Sequence, residues 1–267
     1  MSRNKSIQGP SVLAFLLTLT ILACQAASGL NPFVTATPTP TLTFTPSPTP
    51  SPSPTPTFTP TFTPTVTPPP TGRVRQEQSD GTVLFTDYDG GYQMTFPQGW
   101  TVVILSQSEI NGALESLPEQ EQNVSSMIEA FKSADVNNLL RVVGFKFSAQ
   151  QGMYTPNINI SYDTNPLLAA ISLEELISAT AAYFPSLKID VVHTEVKATS
   201  SGIPIGIIEA RWSMKAADGK KVNLEQKQVF FKTGEGVAII TFSTVRNATV
   251  DLSADLEMLI ESIELLD

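Results

Sequence analysis

A chain of 267 residues with 16 Lys and Arg against 25 Asp and Glu has a formal charge of −9 and holds one histidine and one cysteine. That acidity disfavours nucleic acid and anionic headgroups as partners, a single cysteine excludes an intramolecular disulfide, and any Ser/His/Asp triad would have to use His193.

The first element is an address. Arg3 and Lys5 precede an uncharged apolar run over residues 12–23, which ends in Ile21-Leu22-Ala23-Cys24. Residues 11–24 are too few for a membrane span, which needs about 20 apolar residues, and they have the dimensions of a signal-peptide h-region. An ordinary cleaved signal has the same shape. The placement of the lone Cys24 after a small residue separates the two readings and resembles the lipobox of bacterial lipoproteins. That resemblance implies cleavage after residue 23 and lipidation of Cys24, with residues 24–34 as the lipidated start of the mature chain. Two or more acyl chains anchor stably where one does not. Loss of Arg3 and Lys5 leaves 14 basic residues against 25 acidic ones, a formal −11.

Residues 35–72 read as a disordered stalk. Between positions 35 and 71 lie 13 of the 21 prolines and 15 threonines, with no charged residue. Proline fixes φ and removes a donor, so the stretch favours extended polyproline II and would reach on the order of 100 Å at about 3.1 Å per residue. A passive spacer is the plain reading, and the Ser/Thr density beside proline also suits O-glycosylation. Phe44, Phe58 and Phe62 are unusual there but do not form a site.

The remaining 195 residues, 73–267, suffice for one domain with a real core. Residues 82–86 and 91–100 read as a hairpin about Asp89-Gly90-Gly91, with Tyr92, Met94 and Phe96 on one face. A strand over 101–105 follows, then a helix carrying Val124, Met127, Ile128 and Phe131, then strands over 139–147 and 157–162. Leu173, Leu176, Ile177, Thr180, Ala181 and Phe184 stripe a helix that Ser172 and Glu175 cap and Pro185 stops. Strands over 188–198, 203–215, 221–232 and 236–244 form an antiparallel meander. In the second of these Ile208, Ala210, Trp212 and Met214 face the core, while Glu209, Arg211, Ser213 and Lys215 face water. A helix over 251–263 packs Leu252, Leu256, Leu259, Ile260 and Ile263.

This order, with the hairpin Tyr92-Gln-Met-Thr-Phe-Pro-Gln-Gly-Trp100, resembles the PsbP-like family, which includes bacterial lipoproteins. The likeness covers roughly residues 80–265. It implies an α+β fold with a central antiparallel sheet flanked by helices, an α/β/α sandwich, in domains that bind or assemble with membrane complexes. It transfers no ligand site.

Bottom-up, no residue set rises to catalysis. His193 alternates within a strand, where a solvent-facing or satisfied histidine is the common case, and the Gly202-Ile-Pro-Ile-Gly206 segment lacks the helix a phosphate loop requires. Asp87-Tyr-Asp89-Gly90 starts like a calcium loop but lacks the further acids of an EF-hand, and it reads first as a hairpin turn. Lys220-Lys221 is a solvated turn, and the sequons at Asn123 and Asn247 are chance matches in a bacterial chain. Leu167, Leu168 and Ile171 lie in a connection where polar residues are expected. They are the candidate binding residues, against the plainer reading that they are satellites of the core. The expectation is an extracytoplasmic, lipid-anchored binding or scaffolding module with an envelope protein partner and with neither nucleic acid, metal nor cofactor. The alternatives are a small-ligand or calcium-binding module and a hydrolase using a carboxylate pair.

Overall fold

The computed structural model describes residues 70–104, 139–152, 154–215 and 220–266. The signal segment, Cys24, the Pro/Thr-rich stretch up to residue 69, Leu105 and the expected helix through Val124 and Phe131 lie outside them. Eleven strands are assigned among the described residues: β1 (Arg73–Glu77), β2 (Val83–Asp87), β3 (Tyr92–Phe96), β4 (Thr101–Ile104), β5 (Leu140–Phe145), β6 (Asn157–Asp163), β7 (Asp190–Ala198), β8 (Pro204–Lys215), β9 (Lys221–Lys232), β10 (Val237–Val245) and β11 (Glu264–Leu265). Three α-helices accompany them: α1 (Pro166–Ala170), α2 (Leu173–Tyr183) and α3 (Ser253–Glu261).

Seven strands form one antiparallel sheet in the order β4-β5-β6-β10-β9-β8-β7. The meander β7 to β10 is there as expected. Strands β1, β2, β3 and β11 make a separate four-stranded sheet, which is the main departure from a single central sheet. Its cause is the hairpin itself. Phe85, Tyr92, Met94 and Phe96 are fully buried against Ile158, Ile160, Ile207, Val229 and Phe231 of the large sheet, so the hairpin lies across that sheet's face. The expected α/β/α sandwich is therefore present only in coarser form, mostly antiparallel sheet with few helices. Strand β1 and the two-residue β11 had no periodic signal to announce them, because β1 alternates charges at an exposed edge and β11 is a tail pairing with β3.

Helix α3 completes the layer over the hairpin side. Leu252, Leu256, Leu259, Ile260 and Ile263 join the same core, and Trp100 Nε1 donates to Asp255 Oδ2 at 2.7 Å while Lys146 Nζ stands 3.0 Å from that oxygen. The opposite face of β7, β8 and β9 is covered by α2, whose Leu173, Leu176 and Ile177 pack with Ile208, Ala210, Trp212, Leu224 and Phe230. Ser172 and Glu175 form the reciprocal capping box expected from their spacing. The seat of α2 on the sheet depends on Gly206, where an added Cβ would lie 2.4 Å from Ile177 Cγ1.

Candidate functional site

A groove of about 430 Å³ lies over the middle of β8 and β9, between the end of β10 and the segment leading into α3. Its floor is a charged grid dictated by strand register. Glu209 stands opposite Lys227 and Arg211 opposite Glu225, and both pairs close at 3.1 Å. These side chains occupy the same sheet face as the hairpin-side core, beyond the point where α3 stops covering it. Phe242, Leu252 and Leu256 supply an apolar wall, and Val250 and Glu257 stand at the rim. Thr244, opposite Glu225, turns a buried hydroxyl into this floor with no hydrogen-bond partner among the described residues.

The groove is acidic on balance. Glu209, Glu225, Asp251 and Glu257 line it against Arg211 and Lys227, and both cations are already engaged by Glu225 and Glu209. Asp251 accepts from the Ser253 hydroxyl and backbone N–H, and those bonds, the hydroxyl first, hold its carboxyl below the usual range. Exposed valines cluster nearby, Val192 and Val250 on the groove and Val196 on β7.

A second feature lies on the opposite sheet face. Two adjacent rows cross the central strands, Val143-Asn159-Thr241-Gln228-Ile208 and Phe145-Asn157-Ser243-Gln226-Ala210. The six middle positions are polar, and each is at most 4% exposed. Asn157 donates to Tyr154 OH and to Thr155 O. Asn157 Oδ1, Asn159 Oδ1, Gln228 Oε1 and Thr241 Oγ1 are buried without a partner among the described residues. Each such atom costs about 1–3 kcal/mol relative to a satisfied one, so four together need a compensating reason. Sequence reasoning did not single these residues out. The available signal was β6 itself, where Asn157-Ile-Asn-Ile-Ser161 alternates in a strand with neighbours on both sides.

The residues singled out from sequence are split up by the structure. Leu168 is buried among α2 and the sheet, Ile171 packs partly against the same cluster, and Leu167 is 69% exposed. Asn165 caps this short helix through Leu167 N–H, and Lys232 Nζ donates to the carbonyls of Ala169 and Ile171. Asp87-Tyr-Asp89-Gly90 is a hairpin turn between β2 and β3. Asp87 Oδ1 accepts from Gly90 N–H at 3.0 Å, and Asp89 Oδ1 accepts from Gly72 N–H. The Asp87 side chain is fully buried, 3.5 Å from Arg141 Nε. Burial pushes its carboxyl up, while the Arg141 guanidinium opposes that shift. Burial, and then the charge of Asp87, push the Tyr92 phenol well up. This group is thus enclosed in the core beneath the hairpin rather than placed in a cleft. No set of three or more His, Cys, Asp or Glu able to hold a metal occurs among the described residues. His193 is half exposed on β7, 3.8 Å from Glu195.

No known family model matches the chain, and no curated protein matches it in sequence. Among solved structures, it is similar to cyanobacterial PsbP (CyanoP) from Synechocystis sp. PCC 6803, with 11% identity, a TM-score of 0.43 and coverage of 70% of this chain and 94% of that one. It is also similar to LpqN, involved in cell envelope biogenesis of Mycobacterium tuberculosis, at 12% identity and a TM-score of 0.37 over 73% of this chain and 91% of that one. A structure from Bacteroides thetaiotaomicron matches at 9% identity and a TM-score of 0.34, over 66% of this chain and 46% of that one. A PsbP protein thus stands among the structural neighbours, as the resemblance of the hairpin and strand order implied. At these identities and TM-scores no residue role and no activity passes to this chain. No helix among the described residues is long and apolar enough to cross a membrane.

Proposed function

We propose that the chain is a non-catalytic binding module, held on the outer side of a membrane by lipid on Cys24 and spaced from it by the Pro/Thr-rich stalk. In this reading the groove beside β8 and β9 receives a basic, partly apolar segment of an envelope protein. The observation that carries the reading is the groove's composition. Its two cations are spent on internal pairs, two further acids stand on its wall and rim, Asp251 and Glu257, the latter 4.0 Å from Lys197 Nζ at the surface, and Phe242, Leu252 and Leu256 offer apolar surface beside them. A lysine- or arginine-bearing segment with an apolar anchor complements both features, and charge complementarity at such a rim speeds encounter and rejects acidic partners.

The test places a photo-crosslinking side chain at Val250, on the groove, or at Tyr88, on the exposed hairpin turn, of the full chain in intact cells. A discrete adduct from position 250 that is absent from position 88, weakened by Glu257→Lys and lost with Cys24→Ser, is the expected result. Equal adducts at both positions, or none at 250, would show that the groove does not receive a partner. Labelling with a radioactive fatty acid tests the anchor separately, since Cys24→Ser should abolish incorporation.

A further inference from the structure

We infer that the outer edge of β7 pairs with β7 of a second copy of this chain, antiparallel about a two-fold axis through Val196. Strand β7 ends the seven-stranded sheet, and β8 is its one strand neighbour among the described residues. Seven of its nine residues are exposed, with Val192 at 47% and Val196 at 39%. An open edge of this length that carries exposed valines is a template for a further strand.

The turn after β7 sets the phase of its backbone. Thr199 N–H donates to Ile203 O at 2.9 Å. Antiparallel ladders alternate between residues bonded to the neighbouring strand and residues whose backbone groups point away from it. Counted back from Thr199, the register Lys197↔Ile205 and Glu195↔Ile207 leaves Thr194, Val196 and Ala198 with N–H and C=O directed outward. An axis through Val196 sets that residue against its own copy and sets Thr194 against Ala198 of the second copy, so all three exchange backbone bonds. Between them, Glu195 falls opposite Lys197 of the second copy, and Lys197 opposite its Glu195. These are the non-hydrogen-bonded positions, where facing side chains come closest and opposite charges stabilise the pair. An axis through Glu195 or Lys197 would set a charge against itself, and one through Thr194 would draw in Val192, which lies in the bulge between Val191 and His193. Charges and bulges commonly guard an edge against open-ended pairing. Here the charges are self-complementary, and two-fold pairing consumes both edges, giving a closed dimer. Each sheet face stays on its own side in such a pairing, so the grooves of the two copies open in the same direction.

The experiment introduces a cysteine at the axis. Facing residues of a hydrogen-bonded pair have Cα atoms about 5.5 Å apart, within the span of about 4.4–6.8 Å that a disulfide bridges. Val196→Cys in the purified full chain, treated with a mild oxidant, is expected to give a disulfide-linked dimer on non-reducing gels. The unsubstituted chain with Cys24 alone, Thr194→Cys, and Val74→Cys at an exposed position of β1 should give no more than a collisional background. Lys197→Glu added to Val196→Cys should cut the linked fraction about fivefold or more, and the exchange of Glu195→Lys with Lys197→Glu should restore it. Both changes are at the surface, outside the lining of the groove, so this pairing and the proposed partner groove stand or fail separately. Absence of a linked dimer from position 196 overturns the inference. Linkage as strong from Thr194→Cys or Val74→Cys does the same, as does a linked fraction that ignores the charge at position 197.

Discussion

The two faces of the seven-stranded sheet are built from the same strands one residue out of phase, and they differ in kind. On the hairpin side β6, β9 and β10 present Ile158, Ile160, Tyr162, Val229, Phe231, Ala238, Ile240 and Phe242, an apolar layer that ends at the charged pairs of the groove. On the other side the same three strands present Asn157, Asn159, Gln226, Gln228, Thr241 and Ser243, equally buried. The period of two therefore does not separate inside from outside in these strands. It separates a face that holds the fold together from one whose polar groups contribute little to stability.

The largest effect should come from breaking the apolar face. Phe231 meets Tyr92 edge to face at 5.3 Å and is fully buried, so Phe231→Ala should destabilise the domain by about 3–5 kcal/mol, measured by urea unfolding. A loss below about 1 kcal/mol, the scale of a surface change, would mean that the hairpin layer is not the chain's main core. A smaller loss is expected at Gly206, where α2 rests on β8. Gly206→Ala forces Ile177 aside and should cost about 1–3 kcal/mol. An unchanged midpoint would show that α2 seats loosely, and the second face would then owe even less of the stability to packing.

The Asp87 and Arg141 pair extends the comparison to pH. Burial raises the Asp87 carboxyl above its ordinary value of 3.8, with Arg141 opposing. A folded-state pKa above the unfolded one means that the folded chain holds the proton more tightly. The stability this contributes is complete below the unfolded value and is lost as pH rises through the folded one. Asp87→Asn removes the titration, so the stability of the wild type relative to the variant should fall across that window and then level off. Urea midpoints over a pH series would show it. A difference that rises instead would mean that the ion pair with Arg141 outweighs burial beneath the hairpin.

Much of this architecture could be read from the sequence because its signals are local. The capping box at Ser172 and Glu175, the turn at Asp89-Gly90-Gly91 and the alternation of β8 each lie within a dozen residues and were recovered by the structure within a residue or two. The second sheet was not legible, because Phe85 and Met94 look the same whether their hairpin joins a sheet or lies on one. The groove was not legible either, since Glu209 and Leu256 meet only through the register of β8 and the approach of α3. Leu167, Leu168 and Ile171 show the converse problem: one apolar triplet, whose members the short helix α1 sends to water, core and margin.

The smallest change is the most discriminating. Thr241 is fully buried on the central strand of the polar rows, and its hydroxyl is without a partner among the described residues. Thr241→Val keeps the branched shape and replaces the hydroxyl by a methyl group, so no protein hydrogen bond is lost and a desolvated polar group is removed. Unfolding stability should then be unchanged or rise, by up to about 1–3 kcal/mol. A phenylalanine lost from one face and a hydroxyl lost from the other would thereby move stability in opposite directions, though both residues are enclosed by the same sheet. A drop of more than about 1 kcal/mol for Thr241→Val would reverse this reading, because it would show the hydroxyl already satisfied in the folded chain, as by an ordered water bonded to its neighbours.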